Sequence, residues 1–498
     1  MKHVKQLLSA LLVLALVFSL LPAGVLKASA AEAPAALNIG YPTFKNTELL
    51  DEVYDLSKLG VSYTEKDLMM AIYEKDLANG GDSFYMDRIL AREGVCNGNA
   101  GSNGNADGNT FLTRGRALYM YTSSPSVIGF GGNTAYHQPL GRGNLVRVLF
   151  SNADGSLTTK EDTSKRVNAP SNWSSTYSVG SNLTLDVVKF IHQENVAVTT
   201  MTLKNNTEEE QNVTVAADSI FATEPGKVTV NGAEQTELTG TCSSPAGLTT
   251  IYARMTGDGF EAASSDDYCW LSRDVTVPAG GSVELKVVMA FTTEEIPEST
   301  EQYLRFAGLG NLEAVRAQKA EYNLYWAENL PYIDVPKKAV QKAIDYRWWL
   351  ERFNSLDANI PGYDYQYPIT IEGVLGYNNA IILTQPMHLQ DTKWLRSPYL
   401  AYGQLLSAGN SSQSSAFLDN PGNRNNWNNH YGQYLAEAGY EAFSVIGGGA
   451  ELAENLAYYF GHDATGQLEH YGNHIEGRDL ITYRNNYCLL YTSPSPRD

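Results

Sequence analysis

The feature that most constrains this sequence is a change of hydrophobic period near Pro297. Between residues 37 and 299, short segments that alternate apolar and polar side chains are separated by polar turns, which is typical of antiparallel β-strands. After residue 300, apolar side chains recur at helical spacing instead. The order predicts a multidomain fold, with an antiparallel β-sandwich first and helices afterwards.

Two β-hairpins are predicted inside the β-region. Residues 196–203 and 213–217 alternate on either side of a turn rich in Asn and Glu. Residues 275–288 contain the turn Pro-Ala-Gly-Gly between two β-branched runs. Because each turn is short and polar, we expect the strands that flank it to pair with each other.

The helical region has clear start and stop signals. A helix over 312–330 ends before Pro331, and Pro336 opens another that runs to Leu350, since proline suits a first helical turn. Further helices are predicted at 372–385, 431–446 and 451–460.

Neither end of this sequence is expected in the mature protein. Basic residues, an apolar run over 7–21 and the exit Ala28-Ser29-Ala30 predict a signal peptide over 1–30 and a secreted, extracellular location. Residues 488–498 resemble a translated sequencing adapter, so we interpret them as an artefact and expect the natural chain to continue.

Charge and the lengths of the apolar runs argue against two classes of function. The chain has 36 basic and 55 acidic residues, a formal net charge of −19, and such a surface repels nucleic acid and anionic lipid. After the signal, no apolar run is long enough to span a bilayer.

The 31 tyrosines suit the binding of sugars, whose C–H faces stack on aromatic rings, but they also suit packing in a protein core.

Cysteine and metal signals are weak. Cys242 and Cys269 could pair in an oxidising exterior, and Cys96 would then have no cysteine to pair with. The sequence contains neither a CxxC motif nor a His–Cys cluster, so no zinc site is predicted. No cofactor is therefore expected, apart from one weak calcium pattern.

That calcium pattern lies in a low-complexity loop. Asn103, Asn105 and Asp107 have the alternate spacing of the first half of a calcium loop. The twelfth position is Arg114 rather than the bidentate Glu, so a surface loop without calcium fits better.

The region 347–434 has the densest mixture of acids, amides and aromatic rings, placed at predicted helix starts. Glycosidases need carboxylates for proton transfer, amides for hydroxyls and rings for stacking. Helix capping by Asn and Asp is the simpler explanation for any single residue. The predicted substrate-binding residues are Asp357, Tyr377, Asn378, Asn379, Gln385, Trp427, Asn429, His430 and Tyr431.

Glu372 is the predicted catalytic residue. It begins an apolar helical run, where a charge without a function is costly. The alternative is that its carboxylate only favours the positive end of that helix.

Three segments, Tyr346-Arg-Trp-Trp-Leu350, 371–379 and 427–431, resemble the six-hairpin glycosidases, in particular bacterial relatives of processing α-glucosidase and mannosylglycerate hydrolase. The resemblance implies a β super-sandwich over 37–299, a helical linker over 300–335 and the N-terminal part of a truncated (α/α)6 toroid over 336–487. It also implies a secreted glycoside hydrolase that cleaves plant or microbial oligosaccharides with paired carboxylates.

The chain departs from that family in two ways. It lacks the usual Trp-Asp pair of the first inner hairpin, and Glu372 is the nearest acid. The 336–487 segment is about half of what twelve helices need, so we expect the base to lie beyond it and the chain alone to be inactive. Glu476 and Asp479 are the late candidates for the acid.

Two other functions stay open. A polysaccharide lyase would use His430, Tyr431 and Arg484, but toroid lyases usually place the sandwich after the helices. A non-catalytic glycan-binding surface protein rarely needs a toroid.

Overall fold

The computed structural model describes this chain in segments, all within the unit Tyr41–Asp498. The described residues are 69–83, 119–120, 127–130, 133–136, 138–142, 146–219, 228–230, 236–243, 250–265, 268–294, 297–356, 369–370, 385–398, 400–401, 403–404, 417–418, 428–429 and 435–447. The predicted signal peptide, the calcium pattern at Asn103, Asn105 and Asp107, and the adapter-like tail lie outside them.

The β-region forms antiparallel sheets. Its strands are β1 (Tyr119–Met120), β2 (Gly129–Phe130), β3 (Asn133–Tyr136), β4 (Gln138–Arg142), β5 (Val146–Asn152), β6 (Gly155–Ser156), β7 (Thr159–Asn168), β8 (Trp173–Val179), β9 (Leu183–His192), β10 (Val196–Asn205), β11 (Gln211–Asp218), β12 (Val228–Val230), β13 (Glu237–Ser243), β14 (Thr250–Gly257), β15 (Glu261–Ser265), β16 (Tyr268–Val277) and β17 (Ser282–Thr292). The larger sheet has the order β12-β13-β14-β17-β10-β9-β8-β7. The smaller has the order β15-β16-β11-β5-β2, with β6 beside β5, and β1, β3 and β4 form a third sheet.

One hydrophobic core fills the space between the larger and the smaller sheet. Alternate side chains of β10 and β17, such as Met201 and Val287, meet Phe150 and Val215 of the smaller sheet. Because side chains alternate along a strand, this arrangement buries every second residue of each sheet between the two layers. Within the described residues, the predicted antiparallel β-sandwich is confirmed.

The outer face of the larger sheet is buried as well. Helices α2 (Pro297–Gly308) and α3 (Asn311–Asn329) lie on it. Phe190 and Val288 of the sheet pack against Phe306 of α2 and Ala317 of α3, and the rings of Phe190 and Phe306 are 5.4 Å apart. The helix predicted over 312–330 is therefore confirmed, and its small alanines let it lie close to the strands.

Both predicted hairpins are wrong. β10 pairs with β9 and β17, whereas β11 pairs with β5 and β16, so the turn between β10 and β11 crosses from one sheet to the other. The turn between β16 and β17 makes the same crossing. The alternation was correct, but it could not show whether a turn joins neighbours in one sheet or arches between two.

The two crossing turns are joined through Asn205. Its Nδ2 donates to Glu209 O (2.7 Å), Val277 O (3.1 Å) and Pro278 O (3.1 Å). Its Oδ1 accepts from the backbone and hydroxyl of Thr207. One buried amide therefore satisfies backbone groups of both turns, which a side chain without polar atoms could not do.

We expect Asn205→Ala to lower the free energy of unfolding by about 2–3 kcal/mol, because it leaves buried carbonyls without donors. Asn206→Ala is the matched control, since the neighbouring Nδ2 donates to the exposed Thr184 hydroxyl. Urea unfolding of the two variants measures the difference. Equal stability of both would show that Asn205 does not join the turns.

Helix α4 (Lys338–Asn354) is held against the sandwich and α3 by its aromatic and arginine side chains. Trp349 Nε1 donates to Pro170 O at 3.1 Å. The Arg352 guanidinium lies 3.8 Å from the ring centre of Tyr325 and 4.3 Å from that of Tyr322. These contacts leave α4 little freedom to rotate, and so they set the direction of its polar face.

Helix α1 (Met69–Ala78) packs on α3 and α4. Its Glu74 is fully buried and accepts hydrogen bonds from Ser171 Oγ (2.7 Å) and Asn172 Nδ2 (3.2 Å). Buried carboxylates need such donors. Glu74 therefore joins α1 to the loop before β8.

Three helical segments follow α4 in the described part: α5 (Gln385–Thr392), residues 400–404 without 402, and α6 (Leu435–Ile446). Short strand pairs join β18 (Ser355–Leu356) to β19 (Ile369–Thr370) and β20 (Phe417–Leu418) to β21 (Asn428–Asn429). The toroid over 336–487, the linker over 300–335 and the domain boundaries stay predictions.

None of the described helices is both long and apolar enough to cross a membrane. Cys269 is a free thiol, so it is not paired with Cys242.

Asp345 of α4 is a buried carboxyl close to Tyr73 of α1. Gln341 Nε2 donates to its Oδ1 at 3.0 Å. Burial raises the pKa of Asp345 to about 6, and the bond from Gln341 offsets only part of that rise. The folded chain therefore holds this proton more tightly than the unfolded chain does.

Because the folded pKa is the higher one, Asp345 makes the chain less stable as the pH rises from about 4 to about 6. We expect Asp345→Asn, which keeps the acceptor for Gln341, to raise the free energy of unfolding at pH 7.5 by about 2–3 kcal/mol. The gain should vanish near pH 4. Denaturant unfolding at both pH values checks this, with Asp154→Asn in an exposed turn as the control. A gain of equal size at both pH values would contradict it.

Candidate functional site

The candidate site is the seam between α4 and α5, where an Arg–Asp ion pair and a His–Glu hydrogen bond join facing helix surfaces. Arg347 and Glu351 are four residues apart on α4, and His388 and Asp391 are three apart on α5, so each pair shares one face. Arg347 Nη2 lies 2.5 Å from Asp391 Oδ2, and its Nε lies 3.2 Å from Oδ1. His388 Nδ1 lies 3.0 Å from Glu351 Oε2.

The α4–α5 seam runs from the interior to solvent. The Glu351 side chain is 6% exposed and that of Asp391 24%, whereas that of Arg347 is 66% exposed. Burial raises the pKa of Asp391, and the hydrogen bond from Arg347 lowers it by less. A half-buried acid with a raised pKa at the rim is an arrangement that active sites use.

Glu351 accepts hydrogen bonds on both carboxylate oxygens. Oε2 faces His388, and Oε1 accepts from Thr370 Oγ1 at 3.0 Å. Gln404 Nε2 donates to Thr370 Oγ1 at 2.6 Å and lies 3.4 Å from Glu351 Oε1. The pairing of β18 with β19 brings Thr370 to the end of α4, and this network follows from that pairing.

Two amide side chains of the network are held in one orientation by the hydrogen bonds that their own N–H groups donate. Gln385 Nε2 donates to Thr370 O at 2.6 Å, and this carbonyl can only accept. Gln404 Nε2 donates to a hydroxyl that itself donates to Glu351. The oxygens Gln385 Oε1 and Gln404 Oε1 are buried and accept no hydrogen bond from the described residues. We call these two atoms the acceptor pair.

A second Glu–His pair lies between the sandwich and α3. His192 Nδ1 accepts the backbone N–H of Glu194 (3.2 Å), so the proton lies on Nε2, which donates to Glu321 Oε2 at 2.9 Å. Arg305 Nη1 is 2.5 Å from Glu321 Oε1. The His192 side chain is 3% exposed and that of His388 is 17% exposed. The His192–Glu321 pair is therefore interior packing, whereas the His388–Glu351 pair belongs to a partly open seam.

We expect the two histidines to be opposite tautomers, Nε2–H for His192 and Nδ1–H for His388, because each carboxylate faces a different ring nitrogen. Long-range proton–nitrogen spectra of protein labelled with ¹⁵N-histidine measure this. Glu351→Gln should reduce the Nδ1–H fraction of His388 alone, and Glu321→Gln, the matched control, should affect His192 alone. An unchanged His388 signal in Glu351→Gln would contradict the assignment.

One sequence-predicted site residue, Gln385, lies in this network. Asn429 lies in β21, where only its backbone is described. The other predicted residues lie outside the described part, and they are Asp357, Glu372, Tyr377, Asn378, Asn379, Trp427, His430 and Tyr431. Glu372 follows Thr370 by two positions in the chain.

The sequence did not indicate Arg347, Glu351, His388 or Asp391 as site residues. Each pair has the spacing of an ordinary surface ion pair or polar stripe on a single helix. Only the packing of α5 against α4 shows that the pairs meet across two helices. Within the described residues, no group of three or more His, Cys, Asp or Glu side chains could hold a metal ion.

No protein-family model matches this chain. Among solved structures, it is similar to a protein described as a kojibiose phosphorylase from the human microbiome, with 8% identity, a TM-score of 0.43 and coverage of 66% of this chain and 48% of the other. It is also similar to a family GH92 alpha-mannosidase from Bacteroides thetaiotaomicron, with 10% identity, a TM-score of 0.37 and coverage of 73% and 51%.

A third similar structure is a heparan sulfate lyase from Pedobacter heparinus, with 8% identity, a TM-score of 0.25 and coverage of 42% of each chain. This chain spans about half the length of these structures, or less. All three TM-scores are below 0.5, so the architecture and the seam rest on this chain's own geometry.

Proposed function

We propose that this chain is part of a secreted glycoside hydrolase that cleaves O-glycosidic bonds of plant or microbial oligosaccharides. The observation that carries the proposal is the α4–α5 seam, where the carboxylates of Glu351 and Asp391 meet an imidazole and a guanidinium. The seam adjoins in sequence the segment that holds Glu372. The resemblance of the 346–350 segment to six-hairpin glycosidases supports the same activity.

Asp391 is the proposed proton donor. Glycoside hydrolysis needs an acid that protonates the leaving oxygen and a carboxylate on the other side of the bond. Burial raises the pKa of Asp391, which keeps more of it protonated at mildly acidic pH, and its side chain is partly open to solvent. Both properties suit an acid that must reach a substrate.

Glu351 has a different role in this proposal. Its two oxygens already accept hydrogen bonds from His388, Thr370 and Gln404, so it positions the seam rather than reacting. Glu372 stays the proposed second carboxylate. The predicted aromatic and amide residues around 377–379 and 427–431 would then hold the sugar.

The experiment is a turnover assay on the gene product that contains this chain, with a panel of nitrophenyl glycosides and plant oligosaccharides. We expect Asp391→Asn to lower kcat by about 100-fold or more, the scale of one acid–base group, with melting little changed. Glu441→Gln is the control, because this exposed carboxylate of α6 pairs with Lys393 outside the seam. The chain alone is expected to be inactive.

Two results would overturn the proposal. Products with an unsaturated uronic end, detected by ultraviolet absorbance, would indicate a polysaccharide lyase. Binding of glycans without turnover by the full gene product would indicate a binding protein. If Asp391→Asn keeps its activity and loses only stability, Asp391 merely holds Arg347, and the acid lies elsewhere.

A further inference from the structure

The α4–α5 seam is open on its solvent side, since the acceptor pair lies in closed packing. On that side, between residues 385 and 395, the exposed side chains are those of Met387 and Trp394, at 44% and 54%. The outward face of a surface helix normally carries polar residues. Two large apolar side chains in this position therefore indicate a surface that contacts something besides water.

Met387 and Trp394 lie on either side of Asp391, the proposed proton donor. Met387 and Asp391 are four residues apart on α5, so they share one face. Trp394 N–H donates to Asp391 O at 3.2 Å and closes a 3₁₀-type turn, in which side chains three residues apart are aligned. At a rise of about 1.5 Å per residue in the α-helix and about 2.0 Å in the turn, each apolar residue lies about 6 Å along the axis from Asp391.

The turn that carries Trp394 is fixed to α3. Arg396 N–H donates to Asn329 O at 2.8 Å, and Leu395 is buried in the core formed with α1, α3 and α4. Lys393 Nζ lies over one face of the Trp394 ring, 5.3 Å from its centre. A ligand would therefore meet the opposite face of a ring that is already held in place, so little side-chain freedom is lost on binding.

The order apolar, acidic, apolar fits a glycosidic bond. An acid that protonates a glycosidic oxygen has one sugar ring on each side of that oxygen. Each ring has C–H groups on its faces, which stack on aromatic and apolar side chains. Its hydroxyls lie at the edge, where the groups of the Arg347–Asp391 pair can donate to them and accept from them.

An apolar protein surface fits this face less well than a saccharide does. It would bury the Asp391 carboxylate between the two apolar side chains, and Asp is depleted in protein interfaces. Taking an ion pair out of water without new hydrogen bonds is costly. A saccharide avoids that cost, because its hydroxyls replace the water around Arg347 and Asp391.

We propose that Trp394 and Met387 form two adjacent sugar subsites, one on each side of Asp391. The ring of Trp394 stacks on the C–H face of one pyranose, and Met387 contacts the next. This inference rests on the proposed function, because it names how the same site holds its substrate.

Fluorescence quenching on the chain itself tests the inference without any turnover. Trp394 is the most exposed of the tryptophans whose side chains are described, so acrylamide should quench it most and a bound saccharide should protect it. The probes are cellotriose, xylotriose, maltotriose and mannotriose, each compared with its monosaccharide. We expect at least one trisaccharide to protect Trp394 and to bind at least about tenfold more tightly than its monosaccharide, because two subsites act together.

Saturation-transfer NMR measures binding to the variants. Trp394→Leu removes the flat ring and should weaken binding of that trisaccharide about tenfold, whereas Trp394→Phe should keep most of it. Met387→Ser should bring the affinity for the trisaccharide close to that for the monosaccharide. Trp270→Leu is the matched control, since this partly exposed tryptophan lies on β16 of the smaller sheet and should leave binding unchanged.

Three outcomes would overturn the inference: no protection of Trp394 by any of the four trisaccharides at millimolar concentration, equal binding by Trp394→Leu and the unmodified chain, or dimers in sedimentation that Trp394→Leu abolishes. The last would make a second copy of the chain the occupant. Failure of the proposed function is distinct. Saccharide binding that depends on Trp394 without turnover by the complete gene product would support the subsites and reject the hydrolase, whereas turnover with a KM unchanged in Trp394→Leu would do the reverse.

Discussion

The burial of the larger sheet on both faces is the constraint on which the rest of this structure depends. Val287 and Met201 face the smaller sheet, while Val288 and Val198 on the same two strands face α2 and α3. Strands without a solvent face require a layer on each side. The position of α3 on the sheet then sets where α4 can pack, and α4 carries Arg347 and Glu351 into the seam.

The order of the β-region and the helices along the chain could be predicted from the sequence, but the pairing of the strands could not. Alternation in 196–203 and 213–217 correctly indicated strands, since a period of two is a local property of an extended strand. Pairing partners are non-local. The amide of Asn205, which binds both crossing turns, resembles any turn asparagine until the two turns are seen side by side.

For the candidate site, the sequence could indicate a region of the chain but not most of the residues that form the seam. The dense acids and amides of 347–434 indicated the region that contains the α4–α5 seam, and Gln385 lies in the seam's network. His388 and Asp391 could not be predicted as site residues, because their partners are on another helix, more than thirty positions away. The two Glu–His pairs show why residue type alone is insufficient: the same two side chains stabilise packing at His192 and line a partly open seam at His388.

The covered outer face also bears on how the protein is made. Synthesis proceeds from the N-terminus, so β9, β10 and β17 are complete before α2 and α3 leave the ribosome. Until residue 329 has emerged, Phe190, Val198 and Val288 form an apolar sheet surface with nothing on it. A newly made chain is therefore most prone to self-association in that interval, and a holding chaperone that shields extended apolar strands would act there.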